Sequence, residues 1–184
     1  MPNNNLIVIE DAHLIFCNLA GRKRQFNEEG KRNFNVLLSE EQAQDMIDQG
    51  LHVRTMPARN EDDEPRYLLK VNVNMDSQRP PKVVLVTSKN QTVLTPDTLV
   101  EIDNAAADQS IVKADLSFRA YRSPMRTDSN GASAYLNSLY VTIEEDELAQ
   151  RYSAKLTQTQ KDELAQQYYA AKLAQAQEDD SLPF

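Results

Sequence analysis

The sequence predicts a mainly β protein, a small barrel followed by a helical arm and an acidic tail, and three observations carry that prediction. Eight stretches of the first 143 residues are rich in β-branched, aromatic and aliphatic side chains. Many of them alternate apolar with polar residues, and from Glu144 onward the composition turns to Ala, Gln, Glu and Leu at helical spacings. With 184 residues, 40% hydrophobic and 26% charged, the chain has the size of one domain plus a short appendage.

Taken in order, the predicted strands are Leu6 to Ile9, His13 to Asn18 and Asn33 to Leu38. Ser39 followed by Gln42 makes a capping box, Ala43, Met46 and Ile47 form a helical stripe, and Gly50 suits the position past a helix end, so one short helix is expected here. Strands resume at Leu51 to Thr55 and Tyr67 to Met75. In the latter, Leu69, Val71, Val73 and Met75 are apolar while Lys70, Asn72 and Asn74 between them are polar, the mark of a strand with one buried and one wet face. Val83 to Thr87, Ile111 to Tyr121 and Ala134 to Ile143 complete the set. The proline-bounded acidic segment 57–65 (PARNEDDEP) reads as a loop and segment 77–82 (SQRPPK) as a turn.

This pattern fits an OB-type five-stranded Greek-key barrel with extra strands and one short helix. An immunoglobulin-like sandwich is the competitor, but it would more often carry a core Trp, and this chain has none. The expected organisation is a barrel over 1–143, a helical arm over 144–177 and an acidic tail over 178–184. The arm holds a weak repeat, DELAQRYSAKL at 146–156 against DELAQQYYAAKL at 162–173, and two copies are too few for a solenoid.

Several function classes are excluded. No apolar run approaches the roughly 20 residues that cross a bilayer, and the start, MPNNNLIVIED, lacks a basic region before an apolar stretch, so a cytoplasmic location is expected. Cys17 with only His13 and His52 cannot build a Cys/His zinc cluster. No GxxxxGK[ST], GxSxG or HExxH motif is present, and Cys17 on a strand near His13 suits a small packed residue better than a nucleophile. The carboxylates Glu61, Asp62, Asp63 and Glu64 follow one another on a loop, a pattern that solvation explains more simply than metal binding. No catalysis, cofactor or metal is expected.

Net charge is -8, yet its distribution is uneven. Residues 1–143 hold 16 basic and 19 acidic side chains, whereas 144–184 hold 4 and 9. The basic residues of the body cluster in two places. The stretch 16–35 (FCNLAGRKRQFNEEGKRNFN) sets Phe16, Phe26 and Phe34 among Arg22, Lys23, Arg24, Lys31 and Arg32, with Gly21 and Gly30 allowing tight turns. Basic groups track phosphates and aromatic rings stack on bases without reading sequence. Phe16 and Phe34 have apolar neighbours and suit the core at least as well as an interface; Phe26, between Gln25 and Asn27, is the better stacking candidate. The second cluster, 116–122 (LSFRAYR), sends Leu116, Phe118 and Ala120 to one face and Ser117, Arg119 and Tyr121 to the other, with Arg122 and Arg126 just beyond. Alone it would pass for a solvated outer face, but two clusters of the same composition point to single-stranded nucleic acid.

At these residues a resemblance enters. The pattern from Phe16 to Leu38, the segment 111–122 (IVKADLSFRAYR) and above all 134–146 (AYLNSLYVTIEED) resemble phage-encoded single-stranded DNA-binding proteins. The final DDSLPF resembles the acidic tip that ends bacterial single-stranded DNA-binding proteins. The resemblance implies an OB-type fold, sequence-tolerant binding of single strands in DNA replication, recombination and repair, and a tail that recruits replication proteins and competes with DNA. The expected DNA contacts, read from the basic and aromatic residues themselves, are Arg22, Lys23, Arg24, Phe26, Lys31, Arg32, Phe34, Lys70, Arg119, Tyr121, Arg122, Arg126 and Tyr135, and the expected partner contacts are Asp179, Asp180, Leu182, Pro183 and Phe184. Bacterial members often stack with Trp and carry a Gly/Gln-rich linker, so here stacking falls to Phe and Tyr. The Ala/Gln arm has the composition to pack on the body or on a neighbouring subunit of a homo-oligomer. The alternative is an adaptor that docks a replication factor through its tail without touching DNA. Convergence of the two basic clusters on one face separates the two readings.

Overall fold

The computed structural model of the chain describes residues 6–125 and 131–145, and, further on, the positions 162, 163, 166, 167, 169 and 170. Two compact units form, Met1–Glu144 and Glu145–Phe184. In the second, the described positions from 162 onward are helical and exposed.

The first unit runs β1 (Leu6–Ile9), β2 (His13–Asn18), β3 (Arg32–Leu38), α1 (Glu40–Asp48), β4 (Val53–Met56), β5 (Arg66–Val73), β6 (Lys82–Val86), β7 (Gln91–Val93), α2 (Val100–Ala107), β8 (Ile111–Tyr121) and β9 (Ser133–Ile143). The protein is mainly β, as its residue pattern predicts. The sheet order is β1-β8-β9-β5-β3-β2. Its two end strands are consecutive in sequence, and the Ala12 amide, between them, donates to the Ala114 carbonyl of β8 at 2.7 Å. β1 and β2, joined by a short turn, thus lie at the two ends of the open sheet, β1 along β8 and β2 along β3. β9 inserts between β5 and β8, parallel to the first and antiparallel to the second. That is Greek-key barrel order of the OB type. β4 extends the edge of β5, and the β6–β7 hairpin extends the far half of β9.

Alternation drives the burial. Phe34, Val36 and Leu38 of β3, Leu69, Val71 and Val73 of β5, Leu116 and Phe118 of β8, and Leu136, Leu139 and Val141 of β9 share one core. The capping box of α1 forms as the sequence predicts: the Gln42 amide donates to Ser39 Oγ and the Ser39 amide to Gln42 Oε1. Gly50, at φ +83°, follows the helix end. Ala43 and Met46 are buried, but Ile47, expected in the same stripe, is exposed because α1 covers the barrel with a narrow strip only.

The expectation of one helix is corrected by α2. Its N-cap, Leu99, offers no side-chain cap bond, so no start signal stands in the sequence. What holds it is Leu99, Ile102 and Ala105, buried at a spacing of three against the barrel. Among the described residues no helix is long and apolar enough to cross a membrane.

Candidate nucleic-acid interface

A continuous row crosses the sheet, exposed at Leu6, Arg119 and Tyr135, half-buried at Asn72 and buried at Asn33 and Asn18. Cα partners in register run Leu6, Arg119, Tyr135, Asn72, Asn33, Asn18 across β1, β8, β9, β5, β3 and β2. Residues opposite each other across strands share a face, and Arg119 and Asn33 are three strand spacings, roughly 14 Å, apart. Lys70, two residues before Asn72 on β5, is exposed on the same side. With Asn72, His52, Ala134 and Tyr135 it lines a small hollow of about 280 Å³. Asn72 Nδ2 donates to the Ala134 carbonyl at 3.3 Å, fastening the parallel β5–β9 seam where the hollow opens. The rings of Tyr121 and Tyr135 meet edge-on, centroids 5.9 Å apart at 85°, and stay 56% and 38% exposed. An exposed pair of rings beside Arg119 and Lys70 has the composition of a base-stacking platform with flanking cations.

The loop between β2 and β3 overhangs one end of this row, and it is a built loop. The Asn18 side chain clamps Arg22 from both sides: the Arg22 amide donates to Asn18 Oδ1 at 3.0 Å and Asn18 Nδ2 to the Arg22 carbonyl at 2.9 Å. Both carboxylate oxygens of Asp103, on α2, accept backbone amides, from Leu19 at 2.8 Å and Ala20 at 2.9 Å. Gly30 donates to the Gly21 carbonyl at 2.8 Å, with both glycines at positive φ. Arg24 and Asn27 exchange two backbone hydrogen bonds, so Gln25 and Phe26 form the tip, where Phe26 is 91% exposed. Asn33 Nδ2 of the row donates to Asn27 Oδ1 at 2.8 Å and ties the loop to the platform. Fixing the backbone this way lowers the ordering cost of presenting Arg22, Lys23 and Phe26 to a ligand.

The sequence-predicted residues divide accordingly. Arg22, Lys23, Phe26, Lys70, Arg119, Tyr121, Arg122 and Tyr135 are exposed on the platform, the loop or the strand end beside it. Phe34 is a correction: it is 0% exposed, pointing into the core with Val36 and Val71, and cannot stack on a base. Arg32 is half-buried, its Nη1 donating to the Leu19 carbonyl at 2.6 Å, so it braces the loop base. Lys31 is exposed but paired with Glu28 at 3.3 Å. Arg24 faces the other side of the loop, toward Phe16 and Asp103. Arg126 and the tail residues Asp179, Asp180, Leu182, Pro183 and Phe184 lie outside the described residues. Sequence reasoning missed Asn18, Asn33 and Asp103 as the loop's braces; only the Asn-rich flanks of the strands hinted at the first two.

Of the two placements its neighbours allowed, Phe16 takes the exposed one. Instead of packing in the core it is 62% exposed, at φ +51°. The register of β2 on β3 slips between Ile15 and Asn18, a bulge whose left-handed position is ordinarily a glycine. A side chain there costs roughly 1–2 kcal/mol. Cys17 beside it is buried, and burial first, then the Asp103 carboxylate, push its thiol up to about 12, with Arg24 acting the opposite way. It stays a protonated packing residue.

At the other end of β8 the Asp11 amide donates to Asp115 Oδ1 at 2.8 Å and Lys113 pairs with Asp115 at 3.0 Å. The first of these, chiefly, holds Asp115 below the ordinary carboxylate range, and the Asp115 contact raises Lys113. Lys113 is thereby drawn away from the platform.

Solved structures similar to the chain include the single-stranded DNA-binding protein from bacteriophage Enc34, in a C-terminal truncation (11% identity, 78% of this chain and 89% of that chain, TM-score 0.47) and in complex with ssDNA (11%, 78% and 89%, TM-score 0.48). Another is gp2.5, a single-stranded DNA-binding protein encoded by bacteriophage T7 (12%, 77% and 88%, TM-score 0.37). No curated protein sequence matches. The model of the family described as "Putative phage ssDNA-binding domain" matches residues 1–182, nearly the whole length, and the chain therefore belongs to the family of phage single-stranded-DNA-binding domains.

Proposed function

We propose that this protein binds single-stranded DNA, without sequence readout, along the outer face of β3, β5, β9 and β8 beneath the β2–β3 loop, and that it does so in the host cytoplasm during phage DNA replication and recombination. The observation that carries the assignment is the single row joining Arg119 and Tyr135 to Asn72 and Asn33, with the basic loop pinned to it through Asn27. It sets the second cluster beside a loop that carries Arg22, Lys23 and Phe26 of the first, which favours DNA binding over a DNA-free adaptor. Tyr121, Tyr135 and Phe26 supply the stacking rings; Arg22, Lys23, Lys70, Arg119 and Arg122 supply phosphate contacts. The acidic segment from Glu178 to Phe184 recruits replication proteins through Leu182, Pro183 and Phe184 and competes with DNA for cations.

The test is fluorescence anisotropy of labelled oligo-dT with the full chain and with Arg119→Ala/Tyr135→Ala. The wild type binds with a salt-dependent affinity and the double variant binds at least tenfold more weakly at unchanged melting temperature. Equal binding by both proteins would remove the platform from the mechanism.

A further inference from the structure

A second groove lies on the opposite side of the β2–β3 loop from the platform. It has a volume of about 860 Å³, inside the roughly 300–1,000 Å³ range of clefts that hold small organic ligands. Its walls are the free edge of β2, α2 and the start of β8. Phe16 projects into it, and Arg24 and Arg66 are exposed along it. The carboxylates in its lining are Asp11 and Asp103, and both oxygens of Asp103 are engaged by the Leu19 and Ala20 amides. A smaller cleft of about 460 Å³ shares Phe16 and Arg66, so this ring and this cation stand at the junction of a longer trough.

Phe16 is the unexplained part of the fold. The left-handed bulge position would suit glycine, yet a phenylalanine occupies it and gives its ring to solvent in a groove that Arg24 and Arg66 also line. Strained residues of this kind collect where a ligand is gripped. The loop links the two sides: Asn27 is bonded to Asn33 of the platform, and Arg24, three residues earlier, lines the groove. From these positions we infer that the groove is a second single-strand subsite, in which Phe16 stacks on a base and Arg24 and Arg66 hold the flanking phosphates of a strand that has left the platform across the loop. This rests on the single-strand binding proposed above and extends its footprint.

Oligo-length dependence tests the subsite. Labelled oligo-dT of about 4 and about 16 nucleotides spans the site sizes of one OB fold. The full chain is compared with Phe16→Gly, Arg24→Ala/Arg66→Ala and, as the platform control, Tyr135→Ala. Glycine suits φ +51°, so Phe16→Gly keeps the fold and raises the melting temperature. Expected is a roughly 5- to 150-fold loss for the long oligonucleotide with Phe16→Gly, no loss for the short one, and a flatter salt dependence for the double arginine variant on the long one only. Tyr135→Ala weakens both lengths. Wild-type affinity of Phe16→Gly for the long oligonucleotide, or an equal loss at both lengths, overturns the subsite while leaving the platform standing. Absence of binding by the wild type at either length overturns the platform and the subsite with it.

Discussion

Phe26 and Phe34 stand eight residues apart in one basic-aromatic stretch, and the structure assigns them opposite work. Phe34 is fully buried among Val36, Val71 and their neighbours, and its removal leaves a ring-sized cavity in close-packed surroundings. Phe34→Ala is therefore expected to cost about 3–5 kcal/mol of folding stability. For a domain of this size each kcal/mol shifts the melting temperature by roughly 2–4 °C, so a drop of roughly 6–20 °C follows. Oligo-dT affinity per folded molecule stays unchanged, because the ring never reaches the platform. Phe26, 91% exposed at the hairpin tip, has no core contact to lose. Phe26→Ala leaves the melting temperature within about 2 °C, since surface substitutions usually stay within about 0.5 kcal/mol. It weakens oligo-dT by about 1–3 kcal/mol, the range measured for single stacked bases. Differential scanning calorimetry and anisotropy on the two variants at one salt concentration read both numbers. A stable Phe34→Ala, or a Phe26→Ala that melts early and binds normally, would refute the division of roles.

Other consequences can be measured with the same reagents. Arg22→Ala/Lys23→Ala removes two exposed loop cations and should flatten the log-log salt slope of oligo-dT binding by about 1.4, at about 0.7 per phosphate released, while an unchanged slope would take the loop out of the interface. Asp115 is held below its ordinary 3.8, so its contribution to stability is present above that value and disappears as the pH falls through the lower folded value. Melting curves of the wild type and Asp115→Asn should accordingly differ slightly at pH 7, begin to converge as the pH drops below 3.8 and merge below the lower folded value; a gap that widens in acid would reverse the assignment. Removing residues 178–184 should tighten oligo-dT binding, most at low salt where screening is weakest, and abolish recovery of replication proteins from host extract. Equal recovery by intact, scrambled and truncated tails would refute the docking motif.

Much of the fold was legible in the sequence because its strands alternate cleanly and its first helix carries a complete capping box. Period-two patterning placed Arg119 and Tyr121 on the side opposite Leu116 and Phe118, and the structure has them there. Alternation fails where the backbone breaks step. The bulge at Phe16 turns a strand residue outward, and nothing in the local sequence announces a left-handed phenylalanine where glycine is the rule. Helix α2 was invisible because tertiary packing of Leu99, Ile102 and Ala105, rather than a cap, fixes it. With it went Asp103, whose bonds to Leu19 and Ala20 cross more than 80 positions of chain. Composition identified the chemistry of the interface, cations with rings, whereas the braces that hold the loop are ordinary Asn and Asp side chains whose meaning comes from distance in space. Arg32 and Lys31 show the same limit: both are basic and both lie in the right loop, but one props a carbonyl and the other faces Glu28.

The central claim is that single-stranded DNA lies across the outer face of β3, β5, β9 and β8 under the β2–β3 loop. Photocrosslinking of the full chain to oligo-dT carrying 5-bromodeoxyuridine, followed by mass spectrometry of the adducts, tests it most directly. The account predicts adducts on Tyr121, Tyr135 and Phe26, lost in competition with unlabelled oligo-dT. Adducts confined to the β6–β7 hairpin or α1, with none on those three rings, would contradict it.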